Sequence, residues 1–157
     1  DLDSMDEKHK QKYQSKLFHI PDQNENDLRK AMTWADKNKV NHATILGATG
    51  KREDHALGNI FSLIQFKTNT IFRMISDHGS FTTIEGKVTL KSFKGEQVSI
   101  FSTDPTIKIT SKELKYNLNK YTISSLYSCT LNESTNNEFT LQISHGRVAV
   151  YQAFIEK

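Results

Sequence analysis

The sequence predicts an N-terminal parallel α/β layer of Rossmann-like type followed by an all-β, antiparallel β-sandwich. Two observations predict it. Across residues 17–75, short apolar runs alternate with stretches of helical period, the pattern of a parallel sheet with crossover helices. Beyond residue 78 the helical period stops, and short strand-like runs follow one another with turn residues between them. The boundary is therefore expected near residue 78, dividing the chain into residues 1–78 and 79–157. The chain opens on Asp1, inside an acidic motif. The α/β layer is thus expected to be truncated at its N-terminus and to lack its first strand.

Each element has a local reason. Residues 6–16 are charged and suit a helix. Leu17-Phe18-His19-Ile20 is an apolar run ended by Pro21, which predicts a buried strand. Residues 22–27 form a loop rich in helix-capping side chains. Leu28, Ala31, Met32 and Ala35 then recur at helical spacing, up to an end near Lys37-Asn38-Lys39. Ala43-Thr44-Ile45-Leu46 predicts a second buried strand, broken by Gly47-Ala48-Thr49-Gly50. Ala56, Leu57, Ile60, Phe61 and Ile64 mark the apolar face of a second helix, and residues 70–75 a third strand. After Asp77-His78-Gly79-Ser80, strands are expected over 81–85, 88–93, 98–101, 106–110, 121–126, 139–143 and 148–154. Glu85-Gly86, Lys94-Gly95, Asp104-Pro105, Asn136-Asn137 and His145-Gly146 supply the turns.

Composition narrows the function class. In 157 residues the net charge is +3, and the lysines are interspersed with acids. This argues against nucleic acid as the main partner. No run approaches the roughly 20 apolar residues of a membrane span. The lone Cys129 can form no internal disulfide, which points to a reducing cytoplasm, and it reads as a small core residue. His9, His19, His42, His78 and His145 have no metal-type spacing, Trp34 reads as packing, and no Gly-x-Ser-x-Gly elbow is present.

Two loops carry candidate chemistry. Asp1 and Asp3 lie in one acidic segment, and Asp22 and Asp27 in the loop after the next run. Loops at the carboxyl ends of neighbouring parallel strands converge on one crevice, and carboxylates gathered there suit Mg²⁺. The same residues also read as solvated acids, with Asp27 capping a helix. The second segment is Gly47-Ala48-Thr49-Gly50-Lys51-Arg52-Glu53-Asp54-His55, between a strand and a helix. Its glycines let backbone approach a ligand, and a helix N-terminus attracts phosphate. Arg52 can grip phosphate oxygens, while Asp54 can accept from a ligand or hold Arg52. The spacing excludes a P-loop, which needs four residues between its glycines and Ser or Thr after the lysine. An ordinary glycine turn with Asp54 as N-cap remains the alternative.

Taken in order, these segments resemble thiamine pyrophosphokinases. Asp1-Leu2-Asp3-Ser4 is similar to that family's Gly-Asp-x-Asp-Ser motif. Residues 22–28, running on to Lys30-Ala31, resemble its Asp-Gln-Asp-x-Thr-Asp-Leu loop and helix. Residues 47–55 resemble Gly-Ala-Thr-Gly-Gly-Arg-x-Asp-His, Leu114-Lys115-Tyr116-Asn117-Leu118 resembles Gly-Leu-Lys-Tyr-Pro-Leu, and Thr130-Leu131-Asn132-Glu133 stands where Thr-Ser-Asn-Glu is usual. The resemblance implies transfer of a pyrophosphoryl group from ATP to thiamine, with Mg²⁺ as cofactor, in a homodimer whose sites lie between subunits. It implies Asp1, Asp3 and Asp27 as Mg²⁺ ligands. Gln23, Asn24, Asn26, Thr49, Gly50 and Arg52 would bind ATP, with Arg52, Asp54 and Asp27 as the catalytic set. Tyr127, Leu131 and Asn132 would bind thiamine. Two other readings stay open: a Mg²⁺-dependent pyrophosphokinase with another substrate, such as a pterin, and a non-catalytic nucleotide- or thiamine-binding module.

Overall fold

A computed structural model describes residues 5–154. Helix α1 (Glu7–Lys12) is capped by the Asp6 carboxylate, which accepts from the His9 amide, and a single 3₁₀ turn (Gln14–Lys16) follows. Leu17 to Ile20, expected as a buried strand, joins no sheet, and Phe18 is exposed. The apolar run has no strand beside it among the described residues; Phe18 instead tilts against Trp34, with ring centroids 5.6 Å apart. The acids at Asp1 and Asp3 lie outside the described residues.

Helix α2 (Asp27–Lys37) starts one residue before its first apolar position, because Asn26 caps it by accepting from the Arg29 amide. Strand β1 (His42–Ile45), helix α3 (Glu53–Gln65) and strand β2 (Ile71–Ile75) form a parallel β-α-β unit. Arg52 is the N-cap of α3, so Asp54 falls in the first turn and is not the cap. Leu63 and Ile64 form the buried face of α3 with Ile60 and Phe61 packed beside them, whereas Leu57, expected on that face, is exposed.

The remaining strands are β3 (Gly79–Ile84), β4 (Lys87–Lys91), β5 (Gln97–Phe101), β6 (Lys108–Lys112), β7 (Tyr121–Thr122), β8 (Asn132–Glu133), β9 (Glu138–Ile143) and β10 (Val148–Ala153). They make a sandwich, but its first sheet is shared with the α/β layer. Sheet order is β1-β2-β3-β10-β5-β8, with β1 and β2 parallel and every later pair antiparallel. The second sheet, β4-β9-β6-β7, is wholly antiparallel. Both expected classes of layer are therefore present, fused through the β2–β3 pairing, with Arg73 opposite Thr82.

Strand β10 explains how one sheet serves two cores. Side chains alternate across a strand, so Val148 and Val150 enter the sandwich core with Val98, Ile100, Phe139 and Leu141. Ala149 faces the other way, into a core of Met32, Leu63, Ile64, Phe72, Met74 and Phe81 beneath the helices. A strand covered on both faces has no polar side, and Val148-Ala149-Val150 is fully buried. Burial also decides the fate of Cys129, which packs partly buried against the sandwich core and has its thiol pKa raised by desolvation.

Candidate active site

In a parallel unit the loops leaving the strand carboxyl ends share one rim. Here the loop 46–52 leaves β1, and residues 76–78 leave β2, at that rim. They meet at Gly50, whose φ of +88° suits glycine, and a Cβ there would stand 3.2 Å from Asp77 Oδ2. Asp77 was not singled out from the sequence. Its position directly after a parallel strand was the available signal.

The N-terminus of α2 joins the same rim through helix α3. Asn59 donates from Nδ2 to the carbonyl of Ala48 at 2.9 Å, while Asn26 Nδ2 lies 3.4 Å from Asn59 Oδ1. One half-buried asparagine thus links the loop before α2 to the loop before α3. Between them lies a cleft of about 660 Å³ whose walls include Asn26, Asp27, Gly47, Ala48, Asp54 and Asn59. Gln23, Asn24, Thr49, Gly50 and Arg52 stand on the same two loops, outside those walls. Asn24 is folded back onto its own loop, donating from its amide N–H to Asp22 Oδ1 at 2.9 Å.

Arg52 and Asp54 form a two-pronged pair. Nε donates to Oδ1 at 3.1 Å and a terminal guanidinium nitrogen to Oδ2 at 2.6 Å. The guanidinium holds the Asp54 carboxyl below its ordinary pKa, helped by the His55 amide. Both groups are exposed, so the pair is a solvated clamp whose guanidinium keeps other N–H groups for a ligand. Across the cleft, Asp27 Oδ1 lies 3.6 Å from the ammonium of Lys30, one helical turn further into α2.

The second candidate surface lies on the sandwich. Residues 126–132 run beside β5: the Leu131 amide donates to Ser99 Oγ at 3.1 Å, and the Ile100 amide to the Cys129 carbonyl at 2.9 Å. Cys129 and Leu131 have φ of 62° and 58°, the left-handed region that L-residues rarely occupy. Tyr127 and Leu131 project into solvent at 81% and 72% exposure. Asn132, by contrast, is buried; its amide clamps the backbone of Tyr116, accepting from N–H at 3.1 Å and donating to C=O at 2.8 Å. Tyr116 is exposed beside it, an aromatic that the Leu-Lys-Tyr motif contained and sequence reasoning left out of the site.

The pattern of a glycine-bearing rim on a β-α-β unit and a loop with left-handed residues on a sandwich has a counterpart in known sequences. The thiamin pyrophosphokinase catalytic domain matches residues 1–75, and the thiamin pyrophosphokinase substrate-binding domain matches residues 79–151.

The chain belongs to the thiamin pyrophosphokinase family.

Its activity is accordingly that of a thiamine pyrophosphokinase, a transferase using ATP and thiamine. Solved structures carry the same fold. Thiamine pyrophosphokinase from Bacillus subtilis superposes with a TM-score of 0.78 at 24% identity, covering 99% of this chain and 77% of that one. Thiamin pyrophosphokinase from Candida albicans gives 0.79 at 16% identity, covering 98% and 71%. A thiamin pyrophosphokinase family protein from Enterococcus faecalis gives 0.75 at 20% identity, covering 99% and 78%. Among curated proteins, none matches the chain.

The donor chemistry of the rim suits Mg²⁺. Among the described residues, no three His, Cys, Asp or Glu side chains gather closely enough to cage a metal. Mg²⁺ in phosphate-transfer sites needs no such cage, since one or two carboxylates with water and substrate phosphates complete its shell. Asp27, exposed on the cleft wall, offers a hard oxygen of that kind. No described helix is long and apolar enough to cross a membrane.

Proposed function

We propose that the rim of β1 and β2 binds the ATP phosphates with Mg²⁺, and that residues 126–132 receive thiamine. In this reading Asp27 holds the metal, together with Asp1 and Asp3. Asn26 lines the cleft that receives the nucleotide, and Gln23, Asn24, Thr49 and Gly50 reach it from the same two loops. The thiamine hydroxyl oxygen attacks the β-phosphorus of ATP, the bond from that phosphorus to the α–β bridging oxygen breaks, and AMP leaves with the oxygen. When bound, Mg²⁺ neutralises charge on the phosphate oxygens. Arg52 donates to oxygens of the transferring group, where negative charge grows. Asp54 keeps Arg52 in that orientation. Its lowered pKa fits a permanently ionised partner better than a proton acceptor. The hydroxyl proton passes to another carboxylate of the rim. Tyr127, Leu131 and Tyr116 offer thiamine an apolar and aromatic surface, and Asn132 sets the position of Tyr116.

The observation that carries this reading is the Asn26–Asn59–Ala48 linkage, which brings two distant loops to one cleft. Sheet order supports the homodimer. Strand β1, beside the phosphate rim, and β8, beside the thiamine loop, are opposite edges of the six-stranded sheet. Five strand spacings amount to roughly 24 Å, whereas a nucleophile must approach its target to about 3–3.5 Å. A second copy, placing its sandwich loop over the first copy's rim, closes that gap. A soluble homodimer in the cytoplasm is the setting proposed.

Mixing variants tests this reading. Arg52→Ala and Tyr127→Ala, each inactive or nearly so alone, should regain ATP-dependent AMP release when co-expressed, because a mixed dimer contains one intact composite site. Absence of any recovery, with dimers shown to form, would refute the shared site. Release of AMP with a hydroxymethyl pterin in place of thiamine would move the activity to the other substrate class.

A further inference from the structure

Lysine is almost never fully buried unless paired, because an ammonium removed from water needs an opposite charge. Lys30 is 6% exposed, although α2 has an open polar side on which it could have been placed. Its ammonium lies 3.6 Å from Asp27 Oδ1, and the two side chains differ sharply: 7% exposed for Lys30 against 64% for Asp27. Asp27 stands between two depressions. One is the proposed phosphate cleft, lined by Asp27 but not by Lys30; the other is lined by Asp27, Lys30, Lys16, Phe18 and Trp34. The buried Lys30 therefore borders the carboxylate without itself lining the cleft.

We infer that Lys30 is a positioning residue for the metal site: its ion pair with Asp27 biases the carboxylate's rotamer so that an oxygen is presented to the cleft. The inference rests on the proposed role of Asp27 as a metal ligand. Its physical basis is general. A ligating carboxylate with several free rotamers must lose that freedom when the ion binds, and a fixed outer partner removes the loss beforehand. A helical i, i+3 spacing supplies the geometry, since residues 27 and 30 share one side of α2.

Lys30→Met separates this role from simple packing. Methionine fills a similar volume and is compatible with burial, so the variant should fold and unfold at a temperature equal to or above that of the parent. Its affinity for Mn²⁺, measured by electron paramagnetic resonance in the presence of a non-hydrolysable ATP analogue, should fall by about 10- to 100-fold, the usual effect of losing an outer partner of a ligand. In turnover, saturating Mg²⁺ should restore most of kcat while the Mg²⁺ requirement rises by the same factor. Lys30→Gln serves as a second variant with the same expected shift. Unchanged Mn²⁺ affinity in a folded variant overturns the inference, and failure of both variants to fold makes Lys30 a structural residue and overturns it too. Asp27→Asn is the control. If it leaves Mn²⁺ binding unchanged, the assignment of Asp27 fails; if it weakens binding while Lys30→Met does not, only the role of Lys30 fails.

Discussion

Asn26 and Asn59, 33 residues apart in sequence, meet side chain to side chain, and Asn59 continues the link to the carbonyl of Ala48. Both ends of this chain lie on loops that precede helices, and Asn26, Ala48 and Asn59 all line the cleft between them. Asn59→Ala removes the link without adding bulk. It should cost about 1–2 kcal/mol of stability, the net worth of one or two hydrogen bonds. Loss of alignment should lower kcat/KM for ATP by about 10- to 100-fold. Urea unfolding and steady-state kinetics on the same preparation check both numbers; a kinetic loss no larger than the stability change implies would make Asn59 a packing residue.

The Arg52 side chain is held by Asp54 and by nothing else among the hydrogen bonds of the described residues, so the guanidinium is oriented yet open to solvent. Arg52→Ala should lower turnover by about 10²-fold or more, as loss of a preorganised donor does. Arg52→Lys should not restore it, because a single ammonium cannot reproduce the fork. Single-turnover measurement of AMP formation at saturating ATP isolates this step from binding.

The Asp54 carboxyl sits below its ordinary pKa because it bonds the Arg52 guanidinium in the folded chain. A depressed folded pKa means that the pair is complete above the unfolded value, about 3.9, and is lost as pH falls through the lower folded value. Between pH 5 and 8 the pair therefore does not titrate. The kcat/KM profile of Asp54→Asn should lie below the parent by a constant factor over this range, with the same shape. A new inflection near neutrality in the parent that vanishes in Asp54→Asn would assign Asp54 a proton-transfer role instead.

Much of this was legible in the sequence, and the exceptions share a cause. The β-α-β unit and most sandwich strands follow from periodicity and turn residues, which are local. The fusion of the two layers into one sheet is not local: it depends on β2 pairing with β3 across a short turn, and nothing in Ile71 to Ile75 marks an antiparallel neighbour on one side. Strand β8 has only two residues, too few for a period to appear. Leu17 to Ile20 has the apolar run of a strand but pairs with none among the described residues. At the proposed site, glycine and arginine spacing singled out the loop between β1 and α3, because backbone approach and phosphate contact would demand those residue types. Asn59 carried no such mark. It is an ordinary helical position until the fold places Ala48 and Asn26 against it. Asn132 is expected from the sequence to bind thiamine, yet its amide serves the Tyr116 backbone, a distinction that composition cannot express.

Arg147 gives the last prediction, because it ties the far end of helix α3 to the sandwich. Its side chain is 14% exposed and pairs with Glu85, donating from Nε at 2.7 Å. The same guanidinium donates to the carbonyls of Phe66, the C-cap of α3, and of Thr68. These are the carbonyls that a helix end and its following loop leave without partners, and a cation there also opposes the negative end of the helix dipole. Arg147, in the loop between β9 and β10, thus fixes the C-terminus of the helix whose first turn lines the cleft. Arg147→Ala strands these acceptors in a half-buried setting and should cost about 2–3 kcal/mol, the range for a charged hydrogen bond lost with its partner left behind. For a chain of this size that corresponds to a fall in melting temperature of about 5–10 °C. Arg147→Lys should recover little of it, since one ammonium cannot serve two carbonyls and a carboxylate at fixed angles. Differential scanning calorimetry measures the shift, and a change below 2 °C, taken as roughly the size of a surface substitution, would mean that the three contacts contribute nothing net.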